Sequence, residues 1–276
     1  MPHDLIEAGN ARLKRFWLVL GGILFFAALA AGLSACDLTP VIQELATIAA
    51  ETPPAESTPG VVAPAGTPVS GLPDIPNKAR PVETTFKGCP PDGDGGDRST
   101  NRLKNRVDEA TWIPVAFDAL EKLPWPKAIE RRDRDNWSDA DRKAVERYEG
   151  LPVSIEGYLA GSREEGPEAT NCHGADYEFH DFHVWLVKTA GADRAGSIVV
   201  EVTPRIRAKH SAWTTDVLGK VVRAQQRVRI SGWTMLDPEH PDQVDNTRGT
   251  IWEIHPIMQI EVQQQGRWVG LDDSTR

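Results

Sequence analysis

From Leu151 onward, apolar and polar residues alternate with a period of two, the pattern of strands with one face in a core. In "LPVSIEGYLAG", Val153, Ile155, Gly157 and Leu159 oppose Ser154, Glu156 and Tyr158. In "FHDFHVWLV", Phe182, Val184 and Leu186 oppose Asp181, His183 and Trp185. "GSIVVEVTP" is a β-branched run that Pro204 ends. The spacing then becomes helical in "HSAWTTDVLGKVVRAQ", where Trp213, Val217, Leu218 and Val221 share a side. Alternation returns in "RVRISGWTML", with Val228, Ile230 and Gly232 on one face. A last strand runs from Thr250 to about Val262. Trp252, Ile254, Met258, Ile260 and Val262 share one of its faces, and Glu253, His255, Gln259 and Glu261 the other.

Upstream, two short helices are predicted. "NRLKNRVDEA" follows the Gly-rich turn "CPPDGDGGDRST", with Ser99 or Thr100 as its cap. "NWSDADRKAVERYEG" carries a capping box, Ser138 with Asp141, and a stop at Gly150. Between them, "IPVAFDALEKLPWPKA" reads as an apolar, Pro-punctuated brace. Asp92, Asp94 and Asp97 do not make a calcium loop: counted from Asp92, the fifth position is Gly96 and the twelfth Leu103, where such a loop needs oxygen ligands. Three strands, a helix and two strands is the element order of the OB-fold, a five-stranded Greek-key barrel. The fold class is therefore mainly β, an OB-like barrel over residues 151–276 behind a helical extension over residues 84–150. The runs "HDFHVWL", "VVEVTPR", "ISGWTMLDPEH" and "WEIHPI" resemble a family of exported bacterial OB-like domains, over about Leu151 to Val262. The resemblance implies a fold and no particular activity.

Composition shifts sharply at the N-terminus. Arg12, Lys14 and Arg15 precede an uncharged apolar run, Phe16 to Leu33, that ends in Leu33-Ser34-Ala35-Cys36. This tetrad resembles a bacterial lipobox, which implies a lipoprotein signal peptide over residues 1–35 and a lipidated, palmitate-bearing Cys36 at the mature N-terminus. An uncleaved transmembrane anchor is the alternative, since about 18 apolar residues span a bilayer. Both place the remainder outside the cytoplasm, membrane-anchored in the cell envelope and facing the periplasm or exterior. By resemblance to enteric lipoprotein sorting, Asp37 implies retention at the inner membrane. Residues 36–83, rich in Pro, Ala, Thr and Gly, read as a disordered tether.

Beyond Cys36, the only thiols are Cys89 and Cys172. In an oxidising compartment they are expected to form a disulfide, closing a loop for a gain of about 2–4 kcal/mol. A metal site using Cys172 and His173 is the alternative. The formal net charge of −9 argues against nucleic acid as a partner.

The polar residues that stand out on strands are Asp181, His183, Glu201, Glu253 and His255, with Glu239 and His240 in the loop "DPEHPDQ". Imidazoles with carboxylates suit zinc or another divalent ion, and Asp181, His183, His240, Glu253 and His255 are the candidate ligands. No known ligand spacing such as His-Glu-x-x-His accompanies them. The competing reading makes them hydrogen-bonded groups that hold the barrel shut, with Arg205, Lys209 and Arg229 as counter-charges. Neither a nucleophile elbow nor a phosphate loop is present in the sequence, and no catalytic residue is assigned. Trp185, Trp233, Tyr158 and Trp252 fall on predicted strands, as core or as a stacking platform. The leading expectation is a non-enzymatic binding or interaction module for an envelope protein or glycan, with no cofactor. The alternative is a metal-dependent hydrolase built on the His and carboxylate positions.

Overall fold

The computed structural model describes residues 71–75, 78 and 80–275. The expected signal peptide, Cys36 and most of the tether lie outside the described residues. The expected tether, drawn to residue 83, ends in contact with the folded unit. Leu72 and Ile75 pack against the core, and Lys78 Nζ donates to the Glu149 carbonyl at 2.6 Å. Two isolated apolar residues in "GLPDIPNK" carry no periodicity, so the sequence pattern gives no sign of these contacts.

The extension consists of helix α1 (Arg98–Lys104), strand β1 (Ile113–Val115), helix α2 (Phe117–Glu121) and helix α3 (Asp139–Glu146). The cap of α1 differs from expectation. Asp97 occupies the N-cap, and Ser99 and Thr100 donate their backbone N–H groups to it at 2.9 and 3.3 Å. A carboxylate two residues earlier reaches these orphan donors better than either hydroxyl. Ser138 caps α3 as expected, accepting from Asp141 N at 3.2 Å, and Gly150 turns the chain with φ 71°. The brace contains β1, which lies parallel to the first barrel strand with Ile113 opposite Val153.

The barrel follows: β2 (Pro152–Glu164), β3 (Phe182–Val187), β4 (Ile198–Val202), helices α4 (Pro204–Arg207) and α5 (Thr215–Arg223), β5 (Arg227–Leu236) and β6 (Trp252–Gln264). The strands close in the order β2-β3-β4-β6-β5 and back to β2, an OB-like five-stranded barrel. All pairings within it are antiparallel except β4 with β6, registered only at Val199–Glu253 and Val200–Ile254. Helix α5 starts later than its hydrophobic spacing suggests because Thr214 Oγ1 caps it through Val217 N. Beyond the expected last strand, β7 (Arg267–Gly270) pairs with β6 and leads into α6 (Leu271–Ser274).

The expected inward residues do form the core. Val153, Ile155, Leu159, Phe182, Val184, Leu186, Val228, Ile230, Ile254, Ile260 and Val262 join one buried cluster. Each contributes about 1.5–3 kcal/mol relative to exposure. Phe117, Leu120, Ile129 and Trp137 of the extension belong to the same cluster, so extension and barrel share a core. Along β6, two register shifts each insert one residue opposite Gly232. One bulge inverts the alternation and the second restores it, which keeps Trp252 and Ile254 in phase with Ile260 and Val262.

Candidate functional site

On the outer side of β3, β4 and β6 the alternation places polar groups, and the register brings them level. His183 pairs with Glu201 across β3 and β4. Because Val199 is level with Glu253 in the parallel pair, Glu201 lies level with His255 two residues on. Asp181 enters from the end of the β2–β3 loop, immediately before β3. In an OB barrel this face, flanked by the β2–β3 and β5–β6 loops, is where ligands bind.

The geometry divides the candidate residues. One ligand atom each from Asp181, Glu201 and His255 lies within 4.8 Å of the other two. The three residues are 1%, 2% and 1% exposed, so any charge among them is cut off from water. Both carboxylate oxygens of Asp181, both ring nitrogens of His255 and Oε2 of Glu201 lack a hydrogen-bond partner. Glu201 Oε2 stands 3.1 Å from His255 Nδ1 without an aligned bond. Each such orphan costs about 1–3 kcal/mol. His183 is a supporting residue: its Nε2 lies 2.7 Å from Glu201 Oε1 and its Nδ1 3.1 Å from Glu165 Oε1.

Glu253 and His240 enter a neighbouring ion-pair chain, although Glu253 Oε2 also lies 3.6 Å from His255 Nδ1. The Arg248 guanidinium donates to Glu253 at 2.7 Å and to Asp237 at 3.0 Å, and Asp237 Oδ2 lies 2.7 Å from His240 Nδ1. Asp237, Glu239 and His240 bring ligand-type atoms together as well, but Glu239 is exposed. Of the expected counter-charges, Arg205 is near enough for the Asp181 charge to favour its own, and the other two lie elsewhere. Arg229 forms a two-pronged pair with Glu261, both bonds 2.5 Å, and Lys209 is exposed. Arg205 donates to the Cys89 and Pro90 carbonyls and to Asn105 Oδ1. Sequence reasoning missed Arg248, Asp237 and Lys104. Glu201 was legible as an outward polar position within a β-branched run.

Electrostatics separate the carboxylates. Burial, then the charges of Glu168 and Glu201, push the Asp181 carboxyl up to about 7. Burial also opposes ionisation of Glu201, but His183, His255 and Lys104 outweigh it and hold this carboxyl well below its ordinary value. Burial, Glu201 and Asp237 raise Glu253 against the pull of Arg248. Burial would lower His183, yet Glu201 and Glu165 carry it up to about 9. Lys104, reaching in from α1, is raised because four carboxylates outweigh its desolvation. The face thus mixes an ionised carboxylate, a carboxyl poised near neutrality, an imidazole, His255, whose nitrogens make no aligned hydrogen bond, and fixed cations.

The cysteines do meet: Cys89 and Cys172 sulfurs are 2.13 Å apart, with Cα atoms at 5.7 Å. This joins the Gly-rich turn before α1 to the β2–β3 loop and removes Cys172 as a metal ligand. His173 instead lies 3.5 Å from Asp94 on the surface. Trp233 and Trp252 are buried in the core, whereas Trp185 and Tyr158 are half-buried on the outer side. Compared with known proteins, the chain matches no protein-family model and no curated protein.

Proposed function

We propose that the chain is a membrane-anchored binding module of the cell envelope, non-enzymatic, exported behind a lipoprotein signal and lipidated at Cys36. Within this reading the folded unit faces the periplasm or exterior, and its ligand is an envelope glycan or protein. The observation that carries it is the outer β3–β4 face of the closed barrel, where OB barrels take ligands. There Trp185 lies against Gly161, whose added Cβ would be 3.2 Å from the indole, leaving a flat aromatic beside the polar cluster. Arg194 stands 4.7 Å from the Trp185 ring centroid, a pairing suited to sugars or to partner side chains. The Cys89–Cys172 link fits an oxidising compartment, and the net charge of −9 disfavours nucleic acid.

A second reading, a metal-dependent hydrolase, draws on the grouping of Asp181, Glu201 and His255. Burial of all three favours binding over catalysis, because a catalytic ion keeps a position open to water and substrate.

Two measurements on the full chain test the proposal. Fed with a palmitate analogue, a bacterial host is expected to label the protein in its membrane fraction, and Cys36→Ser to abolish the label. An unlabelled cytosolic protein sinks the envelope reading. Detergent-purified protein is then sedimented with envelope glycan, and Trp185→Ala is expected to weaken binding about tenfold or more. Release of soluble glycan fragments, lost in His255→Ala, would establish the hydrolase instead.

A further inference from the structure

We infer that Asp181, Glu201 and His255 form a buried site for a first-row divalent transition ion of the zinc class, which ties the barrel together at its shortest ladder. The inference goes beyond the envelope reading and does not depend on it. Three independent segments contribute, the β2–β3 loop, β4 and β6, and they bring their ligand atoms within 4.8 Å of one another. Of the fourteen buried side-chain atoms without a hydrogen-bond partner among the described residues, five belong to these three side chains, a denser gathering than anywhere else in the fold. Native interiors scatter such orphans thinly, so their gathering at one point calls for one ligand that satisfies them together.

The donor chemistry narrows the class. One imidazole and two carboxylates suit zinc, manganese or iron, whereas calcium takes six to eight oxygens. The surroundings match what metal sites use to orient ligands. His183 holds Glu201 Oε1 at 2.7 Å, leaving Oε2 turned toward His255, and Glu165 holds the other nitrogen of His183 at 3.1 Å.

The location gives the ion a task. Strands β4 and β6 are registered at only two residue pairs, 199–253 and 200–254. Glu201 and His255 lie just past the end of that ladder, where an ion would continue the connection that hydrogen bonds no longer make. Asp181 would add the β2–β3 loop to the same clamp. With all three ligands buried, the ion is structural and is taken up as the chain folds.

The test uses the full chain, exported to an oxidising compartment and purified without chelator or tag histidines. Elemental analysis is expected to find about one equivalent of zinc, manganese or iron. After chelation, added zinc is expected to raise the Tm by about 5 °C or more. Cobalt is expected to bind in its place with a visible ligand-field spectrum. Asp181→Asn, nearly the same shape, is expected to lose the metal, the spectrum and the zinc-dependent shift, as is His255→Ala if it folds. His240→Ala is expected to keep all three.

Absence of stoichiometric metal at micromolar zinc, with Asp181→Asn as stable as the parent or more so, overturns the inference. Metal retained by Asp181→Asn but lost in His240→Ala overturns it too, by moving the ion to the Asp237 group. Metal without glycan binding would count against the envelope reading alone, and glycan binding without metal against this inference alone.

Discussion

At the scale of single residues, Asp97 and Arg248 do the most outside the candidate site. Asp97 caps α1 and also accepts from Arg134 N at 2.9 Å, so one carboxylate joins two parts of the extension. Burial works against its charge, but the Arg134 and Thr100 donors outweigh it and hold its pKa below the ordinary value. A depressed carboxylate contributes stability that is full above the ordinary pKa, about 3.9, and is lost as pH falls through the folded value. Asp97→Ala is expected to cost about 0.5–2 kcal/mol at neutral pH in urea unfolding. Asp97→Asn should keep most of the cap while making stability less steep below pH 4; an unchanged acid limb would count against the assignment. Arg248 is the buried cation between Asp237 and Glu253. Arg248→Met removes the cation the two carboxylates share, leaving His240 beside Asp237, and a loss of about 3–5 kcal/mol is expected in the same assay.

At the scale of elements, β6 does two jobs, closing the barrel against β4 and β5 and carrying His255 and Glu253 outward. The two bulges opposite Gly232 make this workable, because they bend the strand and return it to phase. Gly232 is required there. A Cβ at this position would stand 2.3 Å from the Pro256 carbonyl oxygen and 2.6 Å from Ile254 Cγ2. Gly232→Ala is expected to cost about 1–3 kcal/mol by thermal melting. Gly166→Ala, with nothing within 4 Å of its added Cβ, is the matched control and is expected to change little. Equal melting temperatures for the two would mean that β6 yields at the bulge.

At the scale of the whole molecule, the extension and the β2–β3 loop are held over the barrel by covalent and ionic ties. The disulfide spans 83 residues of sequence and anchors the loop that ends at Asp181. Arg134 pairs with Glu149 at 2.7 and 2.8 Å and donates to the Leu236 carbonyl, which fastens the extension to β5. Cys89→Ser is expected to lower stability by about 2–4 kcal/mol in urea, and reductant should lower the parent to the same level. A parent indifferent to reductant would show that the link adds nothing to the folded state.

Much of this was legible locally, and the reason is that strand and helix periods are properties of neighbouring residues. Alternation alone assigned Val153, Phe182, Ile230 and Ile260 to a core, the element order implied an OB-like barrel, and outward histidines and carboxylates marked the face that carries Asp181, Glu201 and His255. Pairing is different, because it depends on register between segments far apart in the chain. Only the tertiary structure gave Glu253 to Arg248 and His240 to Asp237, while keeping Glu253 Oε2 3.6 Å from His255 Nδ1. It also brought Lys104 from α1 to the same carboxylates and set Glu201 level with His255 across a two-residue parallel seam. Residue type and alternation follow from the chain itself. Which charge meets which is decided by folding, since burial makes each unpaired choice costly and leaves one arrangement that satisfies most of them.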